Sequence, residues 1–330
     1  MFRRFLEKYK LPSFRLKQIY EQYYKSNISS WDELTTWSKD LREKLIREIP
    51  FYKLTNFTDY PSKDKRTIKT LSYTTDGYPV ESVMMKNKKR ITVCISCMSG
   101  CPVRCKFCAT GQMGKNRNLD VQEIVDQVLY FKRKLGDKNI TNIVFMGMGE
   151  PMLNLDNVLG AIKVFTNKDM LGFGHRRITV STVGYIKQLE EFLKKDTGVK
   201  LAISLHAPTQ ELRMKLMPTV AKANKLDDLM KVLIRYQMSK GKRVTYEYIL
   251  LKDINDDVEH AKELAKLLKN QIALVNIINF NRSENLPFEP SSRKRVDAFR
   301  NILDSREINN TLRYSYGKDI NAACGQLANQ

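Results

Sequence analysis

The sequence predicts an α/β fold: six β/α units forming a parallel sheet curled into a partial (β/α)6 barrel, preceded by a helical accessory domain and a short antiparallel β extension. Three observations carry this. Apolar runs alternate with amphipathic helical patterns from residue 91 onward, the first 50 residues carry only helical stripes, and residues 51–90 change to β-rich runs around a turn signal. The expected domains are therefore 1–50, 51–90 and 91–330.

In the first domain, Gln18 to Tyr24 puts apolar and aromatic side chains on one helix face, and Leu41, Leu45, Ile46 and Ile49 repeat the stripe before Pro50. Tyr20, Tyr23, Tyr24 and Trp31 can either stack on bases or form a small core; helical spacing favours the core. Next, 67–75 and 80–85 flank Asp76-Gly77, a strong hairpin signal. Barrel strands are expected at 91–97, 140–146, 178–182, 201–205, 244–250 and 272–280. The clearest helix follows Asp120, an N-cap with Glu123 three residues on, and lines up Val121, Ile124, Val125, Val128 and Leu129. In such a fold the site lies at the C-terminal ends of the strands.

Composition narrows the function. With 42% hydrophobic and 28% charged residues the chain reads as a folded, water-exposed protein rather than a disordered one. Lys+Arg 57 against Asp+Glu 36 gives +21, which favours a polyanionic partner such as RNA or DNA. No run of about 18 apolar residues marks a membrane span, and Met1 to Lys8 lacks the apolar stretch of a secretion signal, so the expected compartment is the cytosol.

The cysteines are the sharpest signal. Cys101, Cys105 and Cys108 are spaced C-x3-C-x2-C in the loop after the first barrel strand, with Cys94 and Cys97 just before and Cys324 far downstream. Three close thiolates can hold three corners of a 4Fe-4S cube and leave one iron open for a ligand. Cys94-x2-Cys97 with Cys105-x2-Cys108 also reads as two zinc pairs of an RNA-binding module, although zinc pairs favour turns and Cys94 and Cys97 lie in an apparent strand.

These residues resemble the radical S-adenosylmethionine (SAM) enzymes, whose signature is the C-x3-C-x2-C loop with an aromatic, here Phe107, before the third cysteine. Gly100 to Gly111, Met146-Gly147-Met148-Gly149-Glu150-Pro151, Ser204-Leu205-His206 and Ala322-Ala323-Cys324-Gly325-Gln326-Leu327 are together similar to the RlmN family, which methylates adenine C2 in 23S ribosomal RNA. The related Cfr family methylates C8 of the same base; Glu150-Pro151-Met152-Leu153-Asn154 fits the RlmN pattern better.

The resemblance implies a 4Fe-4S cluster on Cys101, Cys105 and Cys108 and two SAM molecules per turnover. One SAM methylates Cys324; the other, on the open iron, is the radical source that activates S-methyl-Cys324. Adenine C2 lies between two ring nitrogens and is too electron-poor to attack a sulfonium methyl, whereas a carbon radical can add there. Glu81 matches the proton acceptor, and Cys94 the thiol that releases product as a Cys94–Cys324 disulfide. Gly149, Glu150, Ser181, Ser204, Leu205, His206 and Asn281 match contacts to SAM. Transfer RNA is a second candidate substrate; an electron donor such as flavodoxin, a thiol reductant and a monomeric state are also implied.

Three positions depart from the family: Cys97 falls within the family's Ser-Ser-Gln, Asn321 replaces an aspartate and Val183 a frequent serine. A buried, inert Cys97 is the expected reading. Candidate phosphate contacts are Lys63, Lys65 and Arg66; Lys86, Lys88, Lys89 and Arg90; Arg176 and Arg177; and Arg293, Lys294 and Arg295.

Overall fold

The computed structural model describes residues 1–136, 138–283 and 286–328. Its N-terminal region contains α1 (Phe2–Lys8), α2 (Phe14–Tyr20), a wider turn over Glu21–Lys25, and α3 (Lys39–Glu48). Tyr23, Tyr24 and Trp31 are buried, and Tyr20 packs against them. Phe2 meets Tyr23 and Trp31 edge-on at 5.4 and 5.7 Å. These rings form the domain's core, with Tyr20 its part-exposed member.

The antiparallel region has three strands where two were expected: β1 (Thr55–Pro61), β2 (Thr67–Tyr73) and β3 (Pro79–Asn87). Asp76-Gly77 turns between β2 and β3, with Gly77 at φ 86°. β1 is mostly exposed, broken by an irregular register and ended by proline, so its sequence reads as a loop.

β4 (Arg90–Ile95) pairs antiparallel with β3 and so joins this region to the barrel sheet. The chain then forms a small hairpin, β5 (Met98–Gly100) and β6 (Lys115–Asn118), around the cysteine loop and α4 (Ala109–Met113). Next comes α5 (Val121–Leu135), whose Asp120 cap accepts from Gln122 and Glu123 N–H while Glu123 reaches back to Asp120 N–H. β7 (Asn142–Phe145), α6 (Leu155–Thr166), β8 (Ile178–Thr182), α7 (Ile186–Lys194) and β9 (Lys200–Ser204) alternate as expected. α8 (Gln210–Leu216), α9 (Pro218–Ala223) and α10 (Leu226–Lys240) lead to β10 (Val244–Leu250). α11 (Val258–Leu267), β11 (Ala273–Asn279), α12 (Arg293–Ser305) and a seventh parallel strand, β12 (Asn310–Leu312), complete the fold.

All except β5 and β6 lie in one ten-stranded sheet, ordered β1-β2-β3-β4-β7-β8-β9-β10-β11-β12. Alternation along each strand divides its residues between two environments. Ile143, Val180, Leu201, Tyr246 and Val275 enter the main core with the helices, whereas Val83, Cys94 and Val144 face the C-terminal tail inside the curl.

The helical domain docks on α5 through polar contacts at an aromatic face. Asp126 accepts from Lys53 N–H at 2.6 Å and Leu54 N–H at 3.1 Å, and the Arg133 guanidinium lies 4.4 Å from the Phe51 ring centre. Asp126→Ala strands both N–H groups, at about 1–3 kcal/mol each. We expect limited proteolysis to cut the 50–54 segment of this variant at urea concentrations that spare the wild type; identical cleavage would refute this role.

Candidate active site

The cysteine loop is held by its own backbone and packing contacts. Gly100, at φ 70°, lies where an added Cβ would stand 2.0 Å from Gly114 O, so only glycine admits the close turn. Cys101 N–H donates to Gly114 O at 2.7 Å and Lys106 N–H to Leu216 O at 3.0 Å. Val103 and Phe107 anchor the loop in an apolar cluster with Leu212, Leu216 and Phe280.

Cys101, Cys105 and Cys108 border one pocket with Gly149, Glu150, Ser181, Ser204, His206, Glu247, Arg313 and Cys324. It spans about 810 Å³, including open solvent at its mouth, a volume that accommodates a small cofactor. Burial pushes the Cys101 thiol up to about 12 and raises Cys105 and Cys108 as well. Among the described residues no His, Cys, Asp and Glu side chains gather as a single-ion site. The donor set fits a cubane, in which each of three thiolates binds its own iron corner.

The expected SAM contacts divide by position. Ser181 and Ser204 Oγ lie 3.2 Å apart at the ends of β8 and β9. His206 Nδ1 accepts from Ile249 N–H at 3.1 Å, which places its proton on Nε2, and burial followed by the Arg213 charge lowers its pKa to about 3. Glu150 is buried and raised, and it accepts from Val183 N–H at 2.9 Å, Met152 N–H at 3.0 Å and the Thr182 hydroxyl. It therefore braces the β7 loop against β8, with limited acceptor capacity left. Gly149 needs its missing Cβ for Met98, which would lie 2.6 Å away. Leu205 points into the helix-facing core, because its neighbours Ser204 and His206 take the inward positions. Asn281 Nδ2 donates to Cys324 O at 3.4 Å, while its buried Oδ1 has no hydrogen-bond partner among the described residues. That acceptor suits a cofactor hydroxyl or amine.

Cys324 reaches this pocket because the tail returns to the cysteine loop. Ala109 N–H donates to Gly325 O at 2.8 Å and Thr110 Oγ1 to Leu327 O at 2.6 Å. Cys324 also borders a second cavity with Cys94, Val83, Met85, Met146, Arg313, Tyr314 and Tyr316. Cys94 faces this cavity and the tail, whereas Cys97 is buried among the main-core residues. They face opposite sides of the chain and cannot form one zinc pair. Burial, with Cys324 next, pushes the Cys94 thiol up to about 12; burial raises the Cys97 thiol as well.

Glu81 and Lys69 form a buried ion pair at 3.0 Å on β3 and β2. Lys69 carried no signal in the sequence. Neither did Arg213, a buried cation donating to Leu205 O at 2.9 Å and to Val183 O, nor Arg313, which donates to Glu247 at 3.1 Å beside both cavities. Asn276 Nδ2 anchors Glu247 at 2.9 Å. Inward direction on β10 and on the residue after β12 is the one clue that could have exposed the last pair.

The basic candidates fall into separate groups. Arg90, Arg176 and Arg177 cluster with Lys200 and Arg243 at the N-terminal end of the parallel strands, and burial followed by these arginines lowers the Lys200 pKa. Arg293 and Arg295 are tied to Asp297 and Asp256 at 2.8 and 2.7 Å. Exposed Lys63, Lys65 and Arg66 form the β1–β2 turn, where Lys63 N–H donates to Asp319 of the tail at 2.8 Å.

A partial parallel barrel with three cysteines after its first strand and a cofactor-sized pocket at its strand ends defines a radical SAM enzyme; the profile of the Radical SAM superfamily matches residues 95–267. A crystal structure of a radical SAM methyltransferase from Sphaerobacter thermophilus superposes with a TM-score of 0.95 at 40% identity, covering 97% of this chain and 94% of that one. The dual-specificity RNA methyltransferase RlmN of Campylobacter fetus is 43% identical over 96% of this chain and 93% of its own length. The corresponding probable enzyme of Dictyoglomus thermophilum is 42% identical over 96% and 90%. The chain belongs to the RlmN family of radical SAM RNA methyltransferases. No helix among the described residues is long and apolar enough to cross a membrane.

Lys69→Met leaves the Glu81 carboxylate buried without its cation, and urea unfolding should show a loss of about 3–5 kcal/mol. Adding Glu81→Leu removes the stranded charge and should recover most of that loss. A double variant no more stable than Lys69→Met would refute the pairing as the source of the cost.

Proposed function

We propose that this protein methylates C2 of an adenine in 23S ribosomal RNA, and in transfer RNA as a second substrate, through Cys324. The supporting observation is that Cys324 borders both the pocket of Cys101, Cys105 and Cys108 and the cavity of Cys94. One sulfur can thus meet a methyl donor and radical source on one side and an RNA base on the other. The net charge of +21 suits a polyanion, and the exposed cations of the β1–β2 turn lie beside the tail that carries Cys324.

In this reading Cys101, Cys105 and Cys108 hold the 4Fe-4S cluster, while the Ser181–Ser204 pair, neutral His206 and Asn281 Oδ1 orient SAM. Bound there, cluster and SAM supply a 5′-deoxyadenosyl radical. The Cys324 thiolate first takes a methyl from one SAM by displacement. Its S-methyl group would then give a hydrogen atom to that radical, forming 5′-deoxyadenosine, and the methylene carbon radical would add to C2. Glu81, held by Lys69, would accept the C2 proton as the adduct radical gives up one electron, for which the oxidised cluster would be the acceptor. Attack of the Cys94 thiolate on the Cys324 sulfur breaks the sulfur–carbon bond; the released carbon takes up a proton to become the methyl group, and the disulfide left behind is reset by a thiol reductant.

Cys324→Ala should abolish RNA methylation. Cys94→Ala should accumulate an RNA–protein adduct, visible as a shifted band in denaturing gels that thiol treatment does not release. Digestion and mass spectrometry of the product should give 2-methyladenosine; 8-methyladenosine alone would reassign the chemistry to C8.

Because the Cys94 thiol lies near 12, its thiolate fraction grows with pH below that value. Single-turnover release of the adduct should therefore accelerate by up to about tenfold per pH unit between pH 7 and 9. A flat profile would mean that another step limits release.

A further inference from the structure

The tail leaves β12 at Arg313, whose N–H continues the ladder to Ile277 O at 2.8 Å, and meets the other side of the sheet, one strand in from its β1 edge, where Gly317 lies against Thr67 of β2. Residues 314–316 thus form a short chord between two anchored points. Tyr314 lies on this chord with 77% of its surface exposed, a large aromatic left uncovered beside the cavity. Tyr316 packs against it edge-on, with ring centres 4.8 Å apart and planes at 62°. Both tyrosines border the cavity that contains Cys94 and Cys324, and Arg313 lies between that cavity and the cofactor pocket.

We propose that Tyr314 and Tyr316 form an aromatic bracket on which the reacting adenine of the RNA stacks as it enters the Cys324 cavity. This inference rests on the reading of the cavity as the place where RNA is methylated. Isolated exposed tyrosines are ordinary on a protein surface. This pair differs in having its backbone tethered on both sides, one ring braced by the other, and the reacting sulfur in the same cavity. A tyrosine orders only two side-chain torsions, so a braced ring offers a flat face at small entropic cost. Unpaired bases are recognised in this way, by stacking on aromatic faces, and the exposed cations of the neighbouring β1–β2 turn would hold the flanking phosphates.

The test uses the reconstituted holoenzyme and an RNA hairpin carrying the target adenosine, with a matching hairpin lacking that base. Tyr314→Ala should weaken binding to the intact hairpin by about 10- to 100-fold. It should leave binding to the abasic hairpin unchanged. Tyr314→Phe should behave as wild type, and Tyr314→Leu, similar in bulk but without a π face, should follow Ala. The slope of log affinity against log salt should stay constant across this series, whereas Lys63→Gln should reduce it, because only the latter removes a phosphate contact. Equal binding by Tyr314→Ala and wild type, or an equal loss on both hairpins, would overturn the bracket. A wild-type holoenzyme that cleaves SAM yet neither binds nor methylates the intact hairpin would instead overturn the RNA reading beneath it.

Discussion

Two hydrogen bonds between α4 and the C-terminal tail, Ala109 N–H to Gly325 O and Thr110 Oγ1 to Leu327 O, set the chemistry this chain can perform. They join positions 217 residues apart in the second case, and they set Cys324 beside the loop that carries Cys101, Cys105 and Cys108. A neutral hydrogen bond contributes only about 0.5–1.5 kcal/mol net. The seating is therefore stable because it is shared: Asn281 holds the Cys324 carbonyl, Gln326 reaches Arg282 O at 2.6 Å, and Ala322 and Leu327 pack on Val83 and Val144. No single contact is strong. Each can yield without unfolding the barrel, which suits a side chain that serves two cavities.

Burying charge around this tail constrains the surrounding residues. Glu81, Glu150, Glu247 and Arg213 are all buried, and an isolated charge at such depth is prohibitive. Lys69 and Arg313 pair with Glu81 and Glu247, Glu150 accepts from three donors, and the two terminal nitrogens of Arg213 donate to the carbonyls of Leu205 and Val183. These partners come from strands and helices that are distant in sequence. The polar network thus fixes how the strand ends are arranged around the pocket, a specification that an apolar lining could not provide.

What the sequence revealed follows from this division. Local chemistry was legible: the cysteine spacing, the Asp120–Glu123 capping box and the Asp76-Gly77 turn each act within a few residues, and each occurs where expected. Strand periodicity identified six barrel strands, because alternating burial leaves its mark in every segment. It missed β12, too short to show a period, and β1, whose exposed polar face has none. Lys69, Arg213, Glu247 and Arg313 were invisible for a different reason. A lone charged residue in a strand or helix normally points to water, and only the fold shows that these point inward. Leu205 illustrates the converse: motif membership brought it into the site, but alternation turns its side chain away.

The thiol environments also bear on the order of events. Cys94 and Cys324 share a cavity, so a ready thiolate at Cys94 could compete with Cys324 for an electrophilic methyl group. Burial opposes this by pushing the Cys94 thiol up to about 12, with a nearby Cys324 charge adding to the effect and Arg313 opposing it. Arg313 is itself held by Glu247, so its charge is partly spent. An incoming phosphate that draws the guanidinium aside would raise the Cys94 pKa further, whereas opening of the tail would admit water and lower it. Burial thus sets Cys94 apart as a thiol held protonated in a cavity that Cys324 also borders.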